Sequence, residues 1–461
     1  PNVFPVDFRL TLYYDDGTTP TQLPGGTMQP NSRDGYTITA VINGQIVRAP
    51  GVIPNKPYSV VLDWTVPTTY VNSQGQTVPV DPATIQPLGA TLSHYDFGSS
   101  TGDAFTDKVS PTWSFPRVER NPGAALNFIL FWNPHNYEVD VTLTAFLADG
   151  SRVTLPEVRR VRALGREGFG INDFTQLGTG VFGAQINATP VATDTQLAAQ
   201  PFEGVVASIT AYRFGGGNES AFGALGDAQG GTTKGALTNI TNGNGVTSEI
   251  SIFNPGTAPA TVNLSATYIR NNITASQRTI QVPAGRSVTI TGASLGLVAG
   301  DAAGIRYSSD LPVSVLSYQS QRGDADASTP QYEAGTRFFF GDAFINGATA
   351  GRLYFETLYF YNPSAVASNA TVNIIFYNEP GTTPRANTAV NISIPANGFQ
   401  QLRLHELQAI VGGGLPSFFA IDITGSLPFQ VTMEHYDLFL GGGWSASPVP
   451  FGIKTPLADI R

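Results

Sequence analysis

The side chains best suited to chemistry in this 461-residue sequence are four histidines: His94, His135, His405 and His435. His94 and His435 stand in the related stretches SHYDF and EHYDL, where a tyrosine and then an aspartate follow the histidine. A repeated His-Tyr-Asp sequence contains residue types that can transfer protons. Alternation along a β-strand would nevertheless place the histidine and the tyrosine on opposite faces of the sheet. We therefore interpret the pattern as structural.

The acidic run GDADAS is the best candidate for a metal site. Its Asp324, Asp326 and Ser328 alternate like the first ligands of a calcium-binding loop. Such a loop needs a glutamate at its twelfth position, where this sequence has Gly335. We therefore favour a solvated loop over a calcium site. The YDDG stretch at 14–17 is interpreted as a hairpin turn.

The sequence contains no phosphate-binding loop and no nucleophile elbow. It has no cysteine, which excludes disulfides and thiolate metal sites. We predict no catalytic residue, no metal ion and no other cofactor, and we expect that the chain is not an enzyme. The net charge is −9 with only four lysines and no basic cluster, so nucleic acid is not a predicted partner.

The composition also bears on location. No run of 18 apolar residues occurs, so no transmembrane helix is predicted. The chain starts at Pro1 rather than Met, which we interpret as a removed leader or a trimmed end. Only 13% of the residues are charged, and small neutral polar residues are plentiful. We expect a secreted protein that is extracellular or attached to the cell surface.

The pattern of apolar residues predicts β-strands almost throughout. The stretches VDVTLTAF (139–146), ATVNLSATYI (260–269) and ATVNIIFYN (370–378) alternate apolar and polar residues and are rich in β-branched types. One short helical turn is predicted within 404–414. Because strands do not alternate with helices, an α/β enzyme fold is not expected.

Three strands end with the same stop, which is an aromatic residue followed by Asn and Pro. The stops are LFWNP, SIFNP and YFYNP, with Asn133, Asn254 and Asn362 before the proline. Proline lacks an N–H and ends the strand. We predict that each Asn side chain braces the turn through backbone hydrogen bonds and that each preceding aromatic residue lies in a sandwich core.

The stops belong to a longer repeat. Each unit closes with a strand that ends in tyrosine, at Tyr95, Tyr212, Tyr318 and Tyr436, which are 117, 106 and 118 residues apart. About seven short strands in such a length predict an immunoglobulin-like β-sandwich. The predicted fold is all-β, with about four such units in tandem. The predicted divisions are a unit at 1–95, units at 96–212, 213–318 and 319–436, and a C-terminal tail at 437–461.

Tandem units with an Asn-Pro opening, a VPAG-type middle turn and a Pro-strand close resemble the repeat domains of secreted bacterial surface proteins. The resemblance implies immunoglobulin-like sandwiches of the kind found in adhesins, surface layers and extracellular filaments. It implies a scaffold role and carries over no catalytic residue.

The first unit looks incomplete. Val6 corresponds to Val139, which places Pro1 opposite Pro134, so the strand that should open this unit is missing. A sandwich without that strand has an open edge. The alternative is a first unit that simply has fewer strands.

The tail resembles the start of another period, and it could fill the open edge. Its candidate anchors are Phe451, Ile453, Leu457 and Ile460, and the accepting region contains Val3 and Phe4. The tail could act within its own molecule or in a neighbour. Because four rigid units in a row would need strong bending to close, we favour the neighbour.

The predicted function is therefore that of a structural subunit of an extracellular filament or surface layer. The predicted partner is a second copy of the chain, joined head to tail through the tail. The alternative is a surface adhesin or a carbohydrate-binding stalk that contacts glycans or the cell surface. Its binding residues would be aromatics on exposed loops, namely Trp113, Trp132 and Trp444.

Overall fold

The structure is a computed structural model. It describes residues 2–456 except 31, 33, 43–44, 87, 97–98, 216–219, 229, 244, 322–323, 347–353, 377–385, 412–415, 438–441 and 447–450. The prediction of an all-β protein is confirmed. The strands form four consecutive segments, here called segment 1 (6–104), segment 2 (112–228), segment 3 (232–328) and segment 4 (333–456).

Segment 1 is built on one central strand. That strand, β1, pairs antiparallel with β2, β3 and β6, while β4 pairs with β5, β7 with β8 and β9 with β10. The predicted turn at 14–17 is confirmed, because β1 ends there. The strands are β1 (Val6–Tyr14), β2 (Thr21–Gln22), β3 (Gly26–Met28), β4 (Thr39–Ile42), β5 (Gln45–Arg48), β6 (Tyr58–Thr65), β7 (Thr69–Val71), β8 (Thr77–Pro79), β9 (Thr91–Asp96) and β10 (Ser99–Ala104), with a 3-10 turn at Pro82–Thr84.

Segment 2 has two sheets that face each other. One has the order β14-β13-β17-β11-β20, with β15 also on β13, and the other has the order β16-β12-β18-β19. Alternate residues of both sheets, such as Ile129, Phe131 and Val141, form one buried core. The elements are β11 (Thr112–Arg120), β12 (Ala125–Trp132), β13 (Glu138–Phe146), β14 (Arg152–Thr154), β15 (Arg159–Val161), β16 (Arg166–Gly170), β17 (Gly180–Val191), α1 (Asp194–Ala199), β18 (Val206–Arg213), β19 (Ser220–Leu225) and β20 (Asp227–Ala228), with 3-10 turns at Ile171–Asp173 and Thr175–Leu177.

Segments 3 and 4 follow the same plan, except that one long strand in each runs through both sheets. Segment 3 contains β21 (Thr232–Thr241), β22 (Val246–Asn254), β23 (Ala260–Tyr268), β24 (Thr274–Val282), β25 (Arg286–Thr291), the long β26 (Ala302–Gln321) and β27 (Asp324–Ser328). Segment 4 contains β28 (Glu333–Asn346), β29 (Tyr354–Tyr361), β30 (Ser368–Phe376), β31 (Thr388–Ile394), β32 (Phe399–Arg403), α2 (Gln408–Val411), the long β33 (Pro416–Asp437), β34 (Gly442–Ala446) and β35 (Phe451–Pro456), with a 3-10 turn at Leu404–Glu406. The predicted helical turn within 404–414 is confirmed.

The shared plan gives each strand a counterpart in the other segments. The second strands β12, β22 and β29 pair with the closing strand, which is β18 or the second half of β26 or β33. Each closing strand then turns into a hairpin strand, β19, β27 or β34. In segment 1, β1, β6, β9 and β10 correspond to β13, β17, β18 and β19. No described strand of segment 1 corresponds to β11 or β12.

The four hairpin strands pack together in a closed ring. β10 packs against β19 and β34, and β27 packs against the same two strands. The expectation that the units stand in a row is therefore wrong, because every segment contributes a strand to one common centre. Sheet pairing also continues past residues 213 and 319 through β19 and β27, so the division at the tyrosines stays a prediction.

Candidate assembly sites at the segment junctions

The Asn of each Asn-Pro stop is fully buried and braces the turn, as predicted. Asn133 Nδ2 donates to the carbonyl oxygens of Tyr137 at 2.7 Å and Arg162 at 2.8 Å, and its Oδ1 accepts from the His135 N–H at 3.0 Å. The same contacts recur at Asn254 (Ala258 O, Val282 O and Gly256 N) and at Asn362 (Val366 O, Pro395 O and Ser364 N). These side chains have no free capacity for a ligand.

The aromatic residue before each Asn does not lie in the core of its own segment, so that prediction is wrong. Strand alternation turns Phe131, Ile252 and Phe360 inward instead. The aromatic residues pack on the preceding segment. The contacts are Trp132 with Tyr13 (ring centroids 6.1 Å apart), Phe253 with Phe146 (4.9 Å), and Tyr361 in a cluster with Ile269. The stop is thus also a junction motif.

The junction between segments 2 and 3 is built from opposite charges. The first strand of segment 2, β11, packs on β22 and β26 of segment 3. Arg117 is 2% exposed, and its Nε donates to Glu249 Oε2 at 3.0 Å. Its guanidinium lies 4.6 Å from the centroid of the Tyr318 ring. Glu119 pairs with Arg213 at 2.8 Å, so the buried charges of Arg117 and Glu119 are both compensated. The third buried charged residue of β11, Arg120, donates to the Gly178 carbonyl at 3.2 Å.

The junction between segments 3 and 4 is built from amides and carboxyls. Asn239 Nδ2 donates to both oxygens of Glu434 at 2.9 Å, and Gln319 Nε2 donates to Glu434 Oε1 at 3.1 Å. The Tyr436 hydroxyl donates to Asp326 Oδ2 at 3.2 Å. Both carboxyls are buried, and none of these contacts brings a cation to them.

Burial decides the protonation of these two carboxyls. It raises the pKa of Asp326 to about 7, against the opposing effect of the Tyr436 hydroxyl. Burial, reinforced by the Asp326 carboxyl, also raises the pKa of Glu434 well above its ordinary value. Burial thus shifts both pKa values upward, and that of Asp326 lies close to neutral pH.

The two junctions use the same pair of positions. The residue six positions before the Asn of each stop hydrogen-bonds the backbone of the first strand of its segment. These residues are Asn127, Ser248 and Glu356. Aligning the segments on these bonds makes Arg117 and Asn239 equivalent. Tyr318 and Glu434 are equivalent by strand pairing. Tyr318 lies opposite the residue that follows Ser248 on β22, and Glu434 lies opposite the residue that follows Glu356 on β29. Tyr318 is thus two residues out of register with Tyr212 and Tyr436. The equivalence of the closing tyrosines is wrong for segment 3, where Gln319 and not Ser317 takes the histidine's place.

His135, His405 and His435 are engaged in structural contacts. His435 Nδ1 lies 2.8 Å from Glu356 Oε1, and both residues are buried. His405 Nδ1 bonds the Glu356 carbonyl at 3.0 Å, and His135 Nε2 bonds the Gly204 carbonyl at 2.8 Å. His94 lies on β9. The structural interpretation of the histidine pattern agrees with these contacts.

The solvated-loop interpretation of the acidic run is wrong, and so is the calcium-loop alternative. Residues 324–328 form the extended strand β27, and Asp326 binds a hydroxyl in the interior. Gly323 lies outside the described residues. Within the described ranges, no three His, Cys, Asp or Glu residues are grouped to hold a metal ion. No described helix is long and apolar enough to cross a membrane.

The tail residues fall into two groups. Phe451 and Ile453 lie on β35, which pairs antiparallel with β28 of the same molecule. Leu457 and Ile460 lie outside the described residues. β35 occupies the place that β20 has on β11, so 451–456 ends segment 4 and does not begin a new period. In the predicted accepting region, Val3 is 60% exposed and Phe4 is buried against Tyr70.

The three tryptophans lie on strands, so the expectation of exposed loops is wrong. Trp113 is buried in β11, and its Nε1 donates to the Val205 carbonyl at 2.7 Å. Trp132 is partly buried at the end of β12, and Trp444 belongs to β34.

The sequence misses the junction residues Arg117 and Glu434 for different reasons. Strict alternation puts Arg117 on the core face of Trp113 and Phe115, and only the β-bulge between Phe115 and Val118 changes its side. For Glu434, alternation does not show what covers its face of the strand.

Comparisons with known proteins identify no family for this chain. No family model matches the sequence, and no curated protein matches it. A structure of Thermotoga maritima 1070 aligns at 10% identity and a TM-score of 0.22, over 26% of this chain and 96% of that one. An archaeal virus protein with a triple jelly roll fold and turret assembly aligns at 12% identity and a TM-score of 0.14, over 78% and 90%. Escherichia coli alpha-2-macroglobulin aligns at 11% identity and a TM-score of 0.11, over 97% and 41%. Likeness at these scores carries no functional argument.

Proposed function

We propose that this chain is a structural subunit of an extracellular filament or surface layer. The observation that carries the proposal is the ring of β10, β19, β27 and β34, which joins all four segments into one block. Arg117, Glu434 and His435, which could titrate or bind, are used in buried contacts within that block. Such an arrangement suits a mechanical scaffold better than an enzyme.

The segments are further proposed to be four copies of one immunoglobulin-like sandwich. Support comes from the strand plan that segments 2, 3 and 4 share and from the Asn-Pro stop at the same place in each. The small, neutral polar composition and the absence of cysteine suit an exported protein whose stability comes from packed cores.

The test is electron microscopy of the purified protein over a concentration series, with a variant that lacks 448–461 beside it. We expect ordered filaments or sheets from the full chain. If the tail joins neighbours, the truncated chain stays monomeric. A full chain that remains monomeric at high concentration would contradict the structural role. Binding to a glycan array by that monomer would favour the adhesin.

A further inference from the structure

The hairpin strands β19 and β27 each bring one equivalent residue to a segment junction. Ala211 and Gln319 are equivalent, because both lie opposite the residue six positions before the Asn of their segment's stop. Phe222 on β19 lies opposite Ala211, and Asp326 on β27 lies opposite Gln319. Phe222 and Asp326 are therefore counterparts in segments 2 and 3.

These counterparts meet different residues of the following segment. Phe222 packs on Tyr318, with ring centroids 5.4 Å apart. Asp326 lies near Glu434, the counterpart of Tyr318, and its carboxyl disfavours ionisation of the Glu434 carboxyl. Both acids are buried. Asp326 and Glu434, here called the acid pair, thus replace an aromatic pair.

The acid pair has hydrogen-bond donors around it but, within the described ranges, no cation. Asn239 on β21 and Gln319 on β26 donate to Glu434. The Tyr436 hydroxyl on β33 donates to Asp326 at 3.2 Å. No described cation lowers the pKa of either acid. Neutral donors stabilise a buried carboxylate less than an opposite charge does.

None of the other titratable groups described on the packed elements gives the acid pair a counter-charge. Tyr359 on β29 faces the pair, and burial raises the pKa of its phenol well above the ordinary value, so it stays neutral. β19 and β34 pack on β27 and have no titratable residue, β10 has only Asp103, and β27 itself adds Asp324. His435, also on β33, binds Glu356.

We propose that the acid pair is a pH-sensitive switch that closes the junction between segments 3 and 4 when it is protonated and opens that junction when both acids are ionised. Two neighbouring carboxylates repel each other, and in a buried site neither water nor a cation screens the repulsion. Moving segment 4 away from segment 3 returns water to both groups. The switch lies within a single chain and does not depend on the proposed role in a filament or surface layer.

The direction of the switch follows from burial. Burial raises the pKa of Asp326 to about 7 and that of Glu434 well above its ordinary value. Because the folded-state pKa values lie above the unfolded ones, the acids contribute fully to the closed junction below about pH 4, and this contribution is lost as the pH rises through about 7. Between segments 2 and 3, the carboxylates of Glu119 and Glu249 face arginines instead, so that junction should stay closed.

The experiment measures distances between spin labels in the full chain. Because the sequence has no cysteine, two introduced cysteines carry the only labels. Gln277→Cys with Ser393→Cys spans the junction between segments 3 and 4, and Thr189→Cys with Gln277→Cys spans the junction between segments 2 and 3. All three positions are exposed on strands. From about pH 5 to about pH 9 we expect the first distance to lengthen by roughly 5 Å or more, with a midpoint near or above pH 7, and the second to stay constant.

The control carries Asp326→Asn and Glu434→Gln, which keep the shape of both side chains but cannot ionise. It should hold the short distance at every pH. If the double variant does not fold, Asp326→Asn alone replaces it, because one neutral partner removes the repulsion.

Lengthening confined to the junction between segments 3 and 4, and abolished in the control, supports the switch. A distance that does not change with pH overturns it. Lengthening that persists in the control overturns it as well, because another titrating pair, such as His435 and Glu356, would then be the cause. Equal lengthening at both junctions would mean general unfolding and would likewise overturn it.

Discussion

The two best-described junctions solve one packing problem with different chemistry. Arg117 and Tyr318 meet between segments 2 and 3, while Asn239 and Glu434 occupy the same positions between segments 3 and 4. The first junction pairs its charges with opposite charges, and the second surrounds its buried carboxyls with amide and hydroxyl donors. The geometry of contact is thus set by the repeated strands, and each junction is free to choose how it satisfies buried polar groups.

The largest expected effect is on the charged junction. Arg117→Met should lower the free energy of unfolding by about 3–5 kcal/mol, because Glu119 and Glu249 lose a buried partner. Urea unfolding followed by circular dichroism would measure it. The matched control is Arg160→Met, which breaks an exposed pair with Asp140 and should cost far less than the Arg117 change. Equal losses in the two variants would mean that the junction charges contribute no more than surface ones.

The stability contributed by Asp326, at the junction between segments 3 and 4, should depend on pH in the opposite sense to that of ordinary salt-bridged carboxylates. A folded-state pKa of about 7 for Asp326 lies above its unfolded value, so its contribution is present below about pH 4 and is lost as the pH rises through 7. Relative to Asp326→Asn, the wild type should lose roughly 2–4 kcal/mol across that range. Thermal melts of both proteins from pH 4 to 8 measure the difference. A constant difference would show that this carboxyl does not titrate on unfolding.

The stability lost on removing a turn-bracing Asn should not depend on the chemistry of the neighbouring junction. Asn254→Ala removes the partner of two carbonyls and one N–H, and should destabilise by about 1–3 kcal/mol. Asn362→Ala should cost a similar amount although it serves the last segment. Denaturant midpoints compared at a fixed slope would show this. A loss confined to one of the two variants would indicate that the brace depends on its junction.

The smallest expected effect concerns the Tyr318 ring, which lies against the Arg117 guanidinium. Tyr318→Phe keeps the ring under Arg117 and loses only a 3.4 Å contact with Ser220, so we expect a change below about 1 kcal/mol. Tyr318→Leu also removes the cation–π contact and should cost about 1 kcal/mol more. Identical unfolding curves for the Phe and Leu variants would assign no energy to the stacked guanidinium.

Much of the local structure follows from the sequence alone. Alternation with period two specifies the strands, because a half-buried sheet needs apolar groups on one face. The Asn-Pro stop specifies its own turn, since proline ends the pairing and the nearby backbone supplies the partners of Asn133.

The tertiary structure alone decided how the segments meet. The sequence predicts a core position in its own segment for Phe253 and gives no role to Glu434, because alternation along a strand does not show whether water or another sheet covers a face. Only packing shows that Phe253 rests on Phe146, that Asn239 donates to the buried Glu434 carboxyl, and that Tyr318 is displaced by two residues in register. The closed ring belongs to the same class of fact. Contacts between residues more than a hundred positions apart depend on the orientation of whole segments, and no local pattern along the chain encodes that orientation.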